Sequence, residues 1–113
     1  CAAANASLDL LEQDPGAFRT FETRHRHHLE ALAKHHRVQH PRLTGTVAAF
    51  DLVVEGTAGY LNPAGPTLKR IAMDQGVFLR PLGQVVYLLP PLCISDEQLE
   101  RCYQAISLGL DQL

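Results

Sequence analysis

The chain has 113 residues, enough for one domain with a modest core. Its 10 Lys and Arg against 12 Asp and Glu leave a formal charge of -2, so charge makes no case for nucleic acid or an acidic membrane surface as partner. No apolar run approaches the ~20 residues that span a bilayer, and no signal peptide is recognisable.

Three cysteines, Cys1, Cys93 and Cys102, are odd in number and form no Cys-x-x-Cys pair. They fit reduced thiols in a cytosolic setting better than a disulfide framework. The chain opens on Cys1 and runs directly into what reads as a helix, without an initiator methionine. The expectation is a piece of something longer.

Residues 2–12 are alanine-rich, with Leu8 and Leu11 at helical spacing. Asp14-Pro15 restarts a helix, Asp14 as N-cap and Pro15 in the first helical position. This second helix is expected to run to about residue 37, with Phe18, Phe21, Leu29 and Leu32 on one stripe and His40-Pro41 as terminator. It is expected to carry all six histidines as a solvated, partly stacked face. His25/His28 and His36/His40 have the spacing of side chains that share a helical face. A zinc site would need a third ligand, and the cysteines lie far off in sequence. No metal is expected.

From Arg42 to Val54 the pattern changes to β-branched and apolar residues, predicting one long strand through Gly45. Residues 55–66 are rich in Gly and Pro and predict a loop; Tyr60 and Asn62 in it are too isolated to interpret. Thr67–Gln75 predicts a helix with Leu68, Ile71 and Ala72 inward and Gly76 just past its end. Two apolar runs then flank Arg80-Pro81-Leu82-Gly83, which predicts a hairpin turn there. Neither run alternates with polar residues, so strands covered on both faces are expected. Ser95 and Gln98 match a capping box. The last helix should present Leu99, Cys102, Tyr103, Ile106 and Leu110 as its apolar face.

The elements therefore predict an α+β, two-layer fold: a small, largely antiparallel three-stranded sheet with helices packed on one face. Arg80 is the candidate site residue. A planar, permanent cation beside apolar strands suits a bidentate grip on a carboxylate or phosphate. The plainer reading is a surface arginine paired with a nearby acid. Tyr87, four residues past Gly83, is read as a core ring whose hydroxyl seeks a partner or touches a ligand. Lys34 and Lys69 fall on polar helix faces and suit no Schiff-base role.

The run Asp74–Gly83, continued by Val85–Pro91 and Ile94-Ser95, resembles the C-terminal domain of class III PLP-dependent aminotransferases. Within that class it is most similar to the members of biotin synthesis. Cys1–Leu8 resembles the segment after that family's Asn-Pro-Leu-Ala motif, and Leu43–Leu52 its first C-terminal strand. Leu82 and Leu92 depart from the aromatics common there.

The resemblance implies the C-terminal small domain of a fold-type I PLP enzyme, cytoplasmic and homodimeric, whose large domain precedes residue 1. It implies a substrate-carboxylate contact for Arg80 and a place near the same pocket for Tyr87. The implied reaction moves the amino group of S-adenosylmethionine to the keto acid 7-keto-8-aminopelargonate. Pyridoxal 5'-phosphate would be held by residues outside this chain, none here. Rival readings are a class III enzyme acting on ornithine, acetylornithine, 4-aminobutyrate or glutamate semialdehyde, or a free-standing α+β binding module.

Overall fold

A computed structural model describes residues 1–54 and 62–113. The elements are α1 (Ala2–Gln13), α2 (Ala17–Leu32), β1 (Val38–Thr44), β2 (Val47–Leu52), α3 (Ala64–Asp74), β3 (Val85–Leu88) and α4 (Asp96–Asp111). The three strands form one antiparallel sheet in the order β1-β2-β3. Ala48, Phe50, Leu52, Val86 and Leu88 line one face, and Leu29 and Leu32 of α2, Leu68 and Ala72 of α3 and Leu99, Tyr103, Ile106 and Leu110 of α4 close over it. This is the expected two-layer α+β arrangement. Helix α1 stands apart, with no buried residue.

Several expectations need correction. The predicted strand 42–54 is a hairpin: Thr44 pairs with Val47 around Gly45-Thr46, and Gly45 takes φ 55°. A left-handed glycine at the first position of a two-residue loop suits the twist of the flanking strands. Helix α2 ends at Leu32, not 37. Beyond it, single turns carry the chain to Val38, and His35 Nδ1 accepts the Arg37 N–H at 3.1 Å, an alternative to continuing the helix. Val38 instead opens β1 opposite Leu52.

His40-Pro41 is therefore not a helix terminator but a bulge within β1. Gln39 pairs with Asp51 and Arg42 with Ala49, so one extra residue sits on β1, and His40 adopts φ 49°. Proline, lacking an N–H, is tolerated at such a point. The Asp51 carboxylate clamps the bulge, with Oδ2 3.1 Å from His40 Nδ1 and Oδ1 2.8 Å from Arg42 Nη2. Arg42 Nη1 also donates to the His40 carbonyl at 2.8 Å. Burial pushes the Asp51 carboxyl upward, but the hydrogen bonds and charges of Arg42 and His40 outweigh it and hold the group below its ordinary range.

The histidines do not form one solvated face. His25 is fully buried, Nδ1 lies 2.7 Å from the Tyr103 hydroxyl, and His28 stacks on the Tyr103 ring at 4.9 Å. His35 and His36 lie beyond α2, and His40 lies in β1. Phe18, expected on the buried stripe, is exposed.

The predicted start of the third helix at Thr67 moves back to Ala64, where the Asn62 side chain accepts the Ala64 N–H at 2.9 Å. Residues 55–61 of the predicted loop, Tyr60 among them, lie outside the described residues. The Ser95–Gln98 capping box is present with both reciprocal hydrogen bonds.

Candidate functional site

Helix α3 ends as its sequence predicts. Gly76 takes φ 76°, its N–H bonds to the Met73 carbonyl at 2.9 Å, and the Val77 N–H reaches back to Ala72 at 2.9 Å. That pair of bonds is the Schellman arrangement, accompanied here by apolar contact between Val77 and the core. The chain then runs extended but unpaired: the first apolar run, Val77–Leu79, is not a strand. The turn also moves by two residues. Leu82 and Val85 bond to each other in both directions, at 2.9 and 3.0 Å, around Gly83-Gln84, with Gly83 at φ 61°. Pro81 precedes the turn instead of occupying its second position.

This segment alternates where its sequence does not. Val77 and Leu79 are buried at 7% and 1% exposure, whereas Phe78 and Leu82 are 68% and 52% exposed. Arg80, between them, faces outward with the exposed pair. Strand β3 alternates as well, Val86 and Leu88 inward and Val85 and Tyr87 half-buried on the other face. The expectation of strands buried on both sides fails, and Tyr87 is not a core ring. The reason is topological: α2, α3 and α4 all pack on a single face of the sheet.

Arg80 and Tyr87 nevertheless come together. Both line a groove of about 700 Å³ whose walls include Phe78, Leu88, Leu89, Pro90 and Ile94. Among the described residues no Asp or Glu lines it, and the Arg80 guanidinium makes no hydrogen bond or ion pair. The Tyr87 hydroxyl is likewise without a hydrogen-bond partner among them. The plainer reading of Arg80, a surface arginine paired with an acid, is thus not what the fold displays. An unpaired guanidinium beside apolar walls favours an anion carried on an apolar body.

The groove's far wall is tied down from α2. Arg24 Nη2 donates to the Ile94 carbonyl at 2.8 Å, and its Nε lies 2.5 Å from Asp96 Oδ1, an ion pair outside hydrogen-bonding alignment. Sequence reasoning missed this latch, because the two residues are 70 apart and nothing local marks the pair.

Neither of the chain's two lysines lines the groove, so it offers no amine for a Schiff base with PLP. Lys34 and Lys69 are both exposed, and Lys69 Nζ lies over the exposed Phe78 ring, 5.4 Å from its centre. Neither amine is desolvated in an apolar pocket, one of the ways a Schiff-base lysine is activated. Among the described residues no three His, Cys, Asp or Glu side chains gather where a metal ion could sit.

This arrangement, three antiparallel strands under three helices with a groove at one edge, is the fold of a transaminase segment. A solved structure described as "Transaminase with L-ala" superposes with TM-score 0.82 and 25% identity, over 98% of this chain and 28% of that one. The omega transaminase of Pseudomonas jessenii in complex with PMP superposes with TM-score 0.77 at 20% identity, covering 93% of this chain and 24% of that one.

Residues 1–110 match the family described as aminotransferase class-III, and the chain belongs to that family. It is 46% identical over 113 residues to the adenosylmethionine-8-amino-7-oxononanoate aminotransferase of Synechococcus elongatus, covering all of this chain and 26% of that protein. The protein of the same name in Geobacter sulfurreducens is 33% identical over 110 residues, which is 88% of this chain and 23% of that protein. The chain thus spans about a quarter of the length of the curated relatives it matches.

Proposed function

We propose that this chain is the C-terminal small domain of a PLP-dependent transaminase that moves the amino group of S-adenosylmethionine to 7-keto-8-aminopelargonate, giving 7,8-diaminopelargonate. The 46% identity over the whole chain supports the substrate assignment, and the share of the relatives covered supports a preceding large domain. PLP supplies the electron sink in such enzymes. With no lysine lining the groove, the cofactor site is assigned in this reading to sequence outside this chain.

The observation that carries the reading is the unpaired Arg80 guanidinium in a groove with apolar walls and no acidic lining residue. The keto acid offers a carboxylate at the end of an alkyl chain. Arg80 grips the carboxylate through two parallel N–H donors, while Phe78, Leu88 and Leu89 exclude water along the chain. Tyr87 adds a hydroxyl on the same wall. Arg80 orients and binds; it moves no proton.

The test is Arg80→Ala in the full-length protein. The KM for the keto acid should rise roughly 30- to 150-fold, the loss expected for a charge-assisted contact. The half-reaction with S-adenosylmethionine should be nearly unchanged. Unaltered keto-acid kinetics would remove the assignment of Arg80. Supplying ornithine, acetylornithine, 4-aminobutyrate or glutamate semialdehyde in place of S-adenosylmethionine separates the other class III activities.

A further inference from the structure

The backbone that carries Arg80 is hydrogen-bonded only at its two ends, with the Leu79 side chain packed into the core between them. Residues 78–81 make no backbone hydrogen bond to any described residue. Downstream, the chain is fixed by the Leu82–Val85 bridge and by the close approach of the Gly83 carbonyl to Gly65 of α3. Upstream, it is fixed at the end of α3, and there a second arginine takes part.

Arg101 projects from α4 and lines the same groove as Arg80. Its Nη2 donates to the carbonyl of Gln75 at 3.0 Å. Gln75 is the C-cap of α3, where the last carbonyls lack helical partners and the helix dipole favours a cation. The neighbouring residue is Gly76, and a Cβ built there would stand 3.1 Å from Arg101 Nη2. The missing side chain is what admits the guanidinium. From that fixed point Val77 and Leu79 enter the core and Arg80 emerges four residues on, so the Gly76 backbone and the two core side chains together set where the Arg80 side chain leaves the segment.

We infer that Arg101 is a positioning residue for Arg80, holding the start of its segment so that the Arg80 guanidinium meets the substrate carboxylate. This rests on the reading of Arg80 as the carboxylate anchor. Arg101 acts through the Gln75 carbonyl and the Gly76 backbone, with no contact to substrate.

The experiment compares Arg101→Met, Arg101→Lys, Arg80→Ala and the Arg80→Ala/Arg101→Met double variant in the full-length protein, by half-reaction kinetics. Arg101→Met keeps the side-chain stem and removes the donors. It should raise the KM for the keto acid about tenfold, with kcat and the KM for S-adenosylmethionine held. Arg101→Lys should restore most of the loss, because an ammonium also suits a helix C-terminus. The double variant should be no worse than Arg80→Ala alone. Multiplying losses would mean that Arg101 touches substrate itself, overturning the inference. A parallel fall of kcat for both substrates would mean a merely structural role and also overturn it. If Arg80→Ala raises the KM and Arg101→Met does not, only the positioning role fails. If Arg80→Ala changes nothing, the anchor reading fails and takes this inference with it.

Discussion

The Tyr103 hydroxyl lies 2.7 Å from Nδ1 of the fully buried His25, joining α4 to α2 inside the core. Burial pushes the Tyr103 hydroxyl far above the ordinary phenol range, so it keeps its proton and donates to Nδ1. His25 then carries its own proton on Nε2, which is buried without a hydrogen-bond partner of good geometry.

Removing that donor leaves Nδ1 of a buried imidazole without a partner, with the Thr46 backbone the other hydrogen-bonding group at the ring. Tyr103→Phe should therefore destabilise the chain by about 1–3 kcal/mol, although the ring packing is kept. Chemical denaturation of the two proteins at pH 7.5 measures it. Equal midpoints would mean that the hydroxyl contributes nothing beyond its ring.

The same pair predicts a pH dependence. Burial lowers the His25 pKa, and the nearby His28 and Arg24 charges lower it further; burial also lowers that of His28. A folded-state pKa below the unfolded value of about 6.5 means that the unfolded chain binds more protons in the window beneath it. Stability should be fully present above about pH 6.5 and decline as the pH falls from there toward the folded-state value. In His25→Phe this slope should be reduced; an identical slope would assign it to other groups.

A third prediction concerns the turn beside the groove. A Cβ on Gly65 would run into the Gly83 carbonyl oxygen and stand 3.3 Å from the Pro81 side chain. Gly65→Ala should cost about 1–3 kcal/mol by overpacking, even though alanine is the better helix former. Because the clash falls on the Pro81–Gly83 backbone, the proposed keto-acid binding, measured in the full-length protein, should weaken with it. Denaturation and KM measured on one preparation check both.

The fourth prediction concerns the cofactor. With Lys34 and Lys69 both exposed, this chain alone should form no saturable one-to-one complex with PLP and should not transaminate. Titration by absorbance in the Schiff-base band decides it, and a stoichiometric yellow complex would contradict it.

What the sequence reveals and conceals follows the range of the interactions involved. The Ser95–Gln98 capping box and the Gly76 helix end are legible because each is completed by residues a few places apart. Arg80 stands out because a permanent cation amid apolar residues has few inexpensive placements. The β1–β2 hairpin escapes notice because the threonines flanking Gly45 suit a strand as well as its ends, and one glycine φ decides between them. Val77–Leu79 reads as a strand because its composition is right, but no neighbouring strand pairs with it, and composition carries no record of that. His25 is concealed for the same reason: its partner Tyr103 is 78 residues away.

The extra residue at His40-Pro41 also governs which way β1 faces. Val38 and Leu43 are five positions apart, so in an unbroken strand they would point to opposite sides of the sheet. Both instead pack against the helical core, because the added residue resets the alternation between them. Removing a single residue between 39 and 42 would leave the inward side chains in phase and sacrifice only the Asp51 clamp. The same loss anywhere else between two paired residues of β1 or β2 would turn part of the strand inside out, so single-residue deletions in this hairpin have one tolerant address.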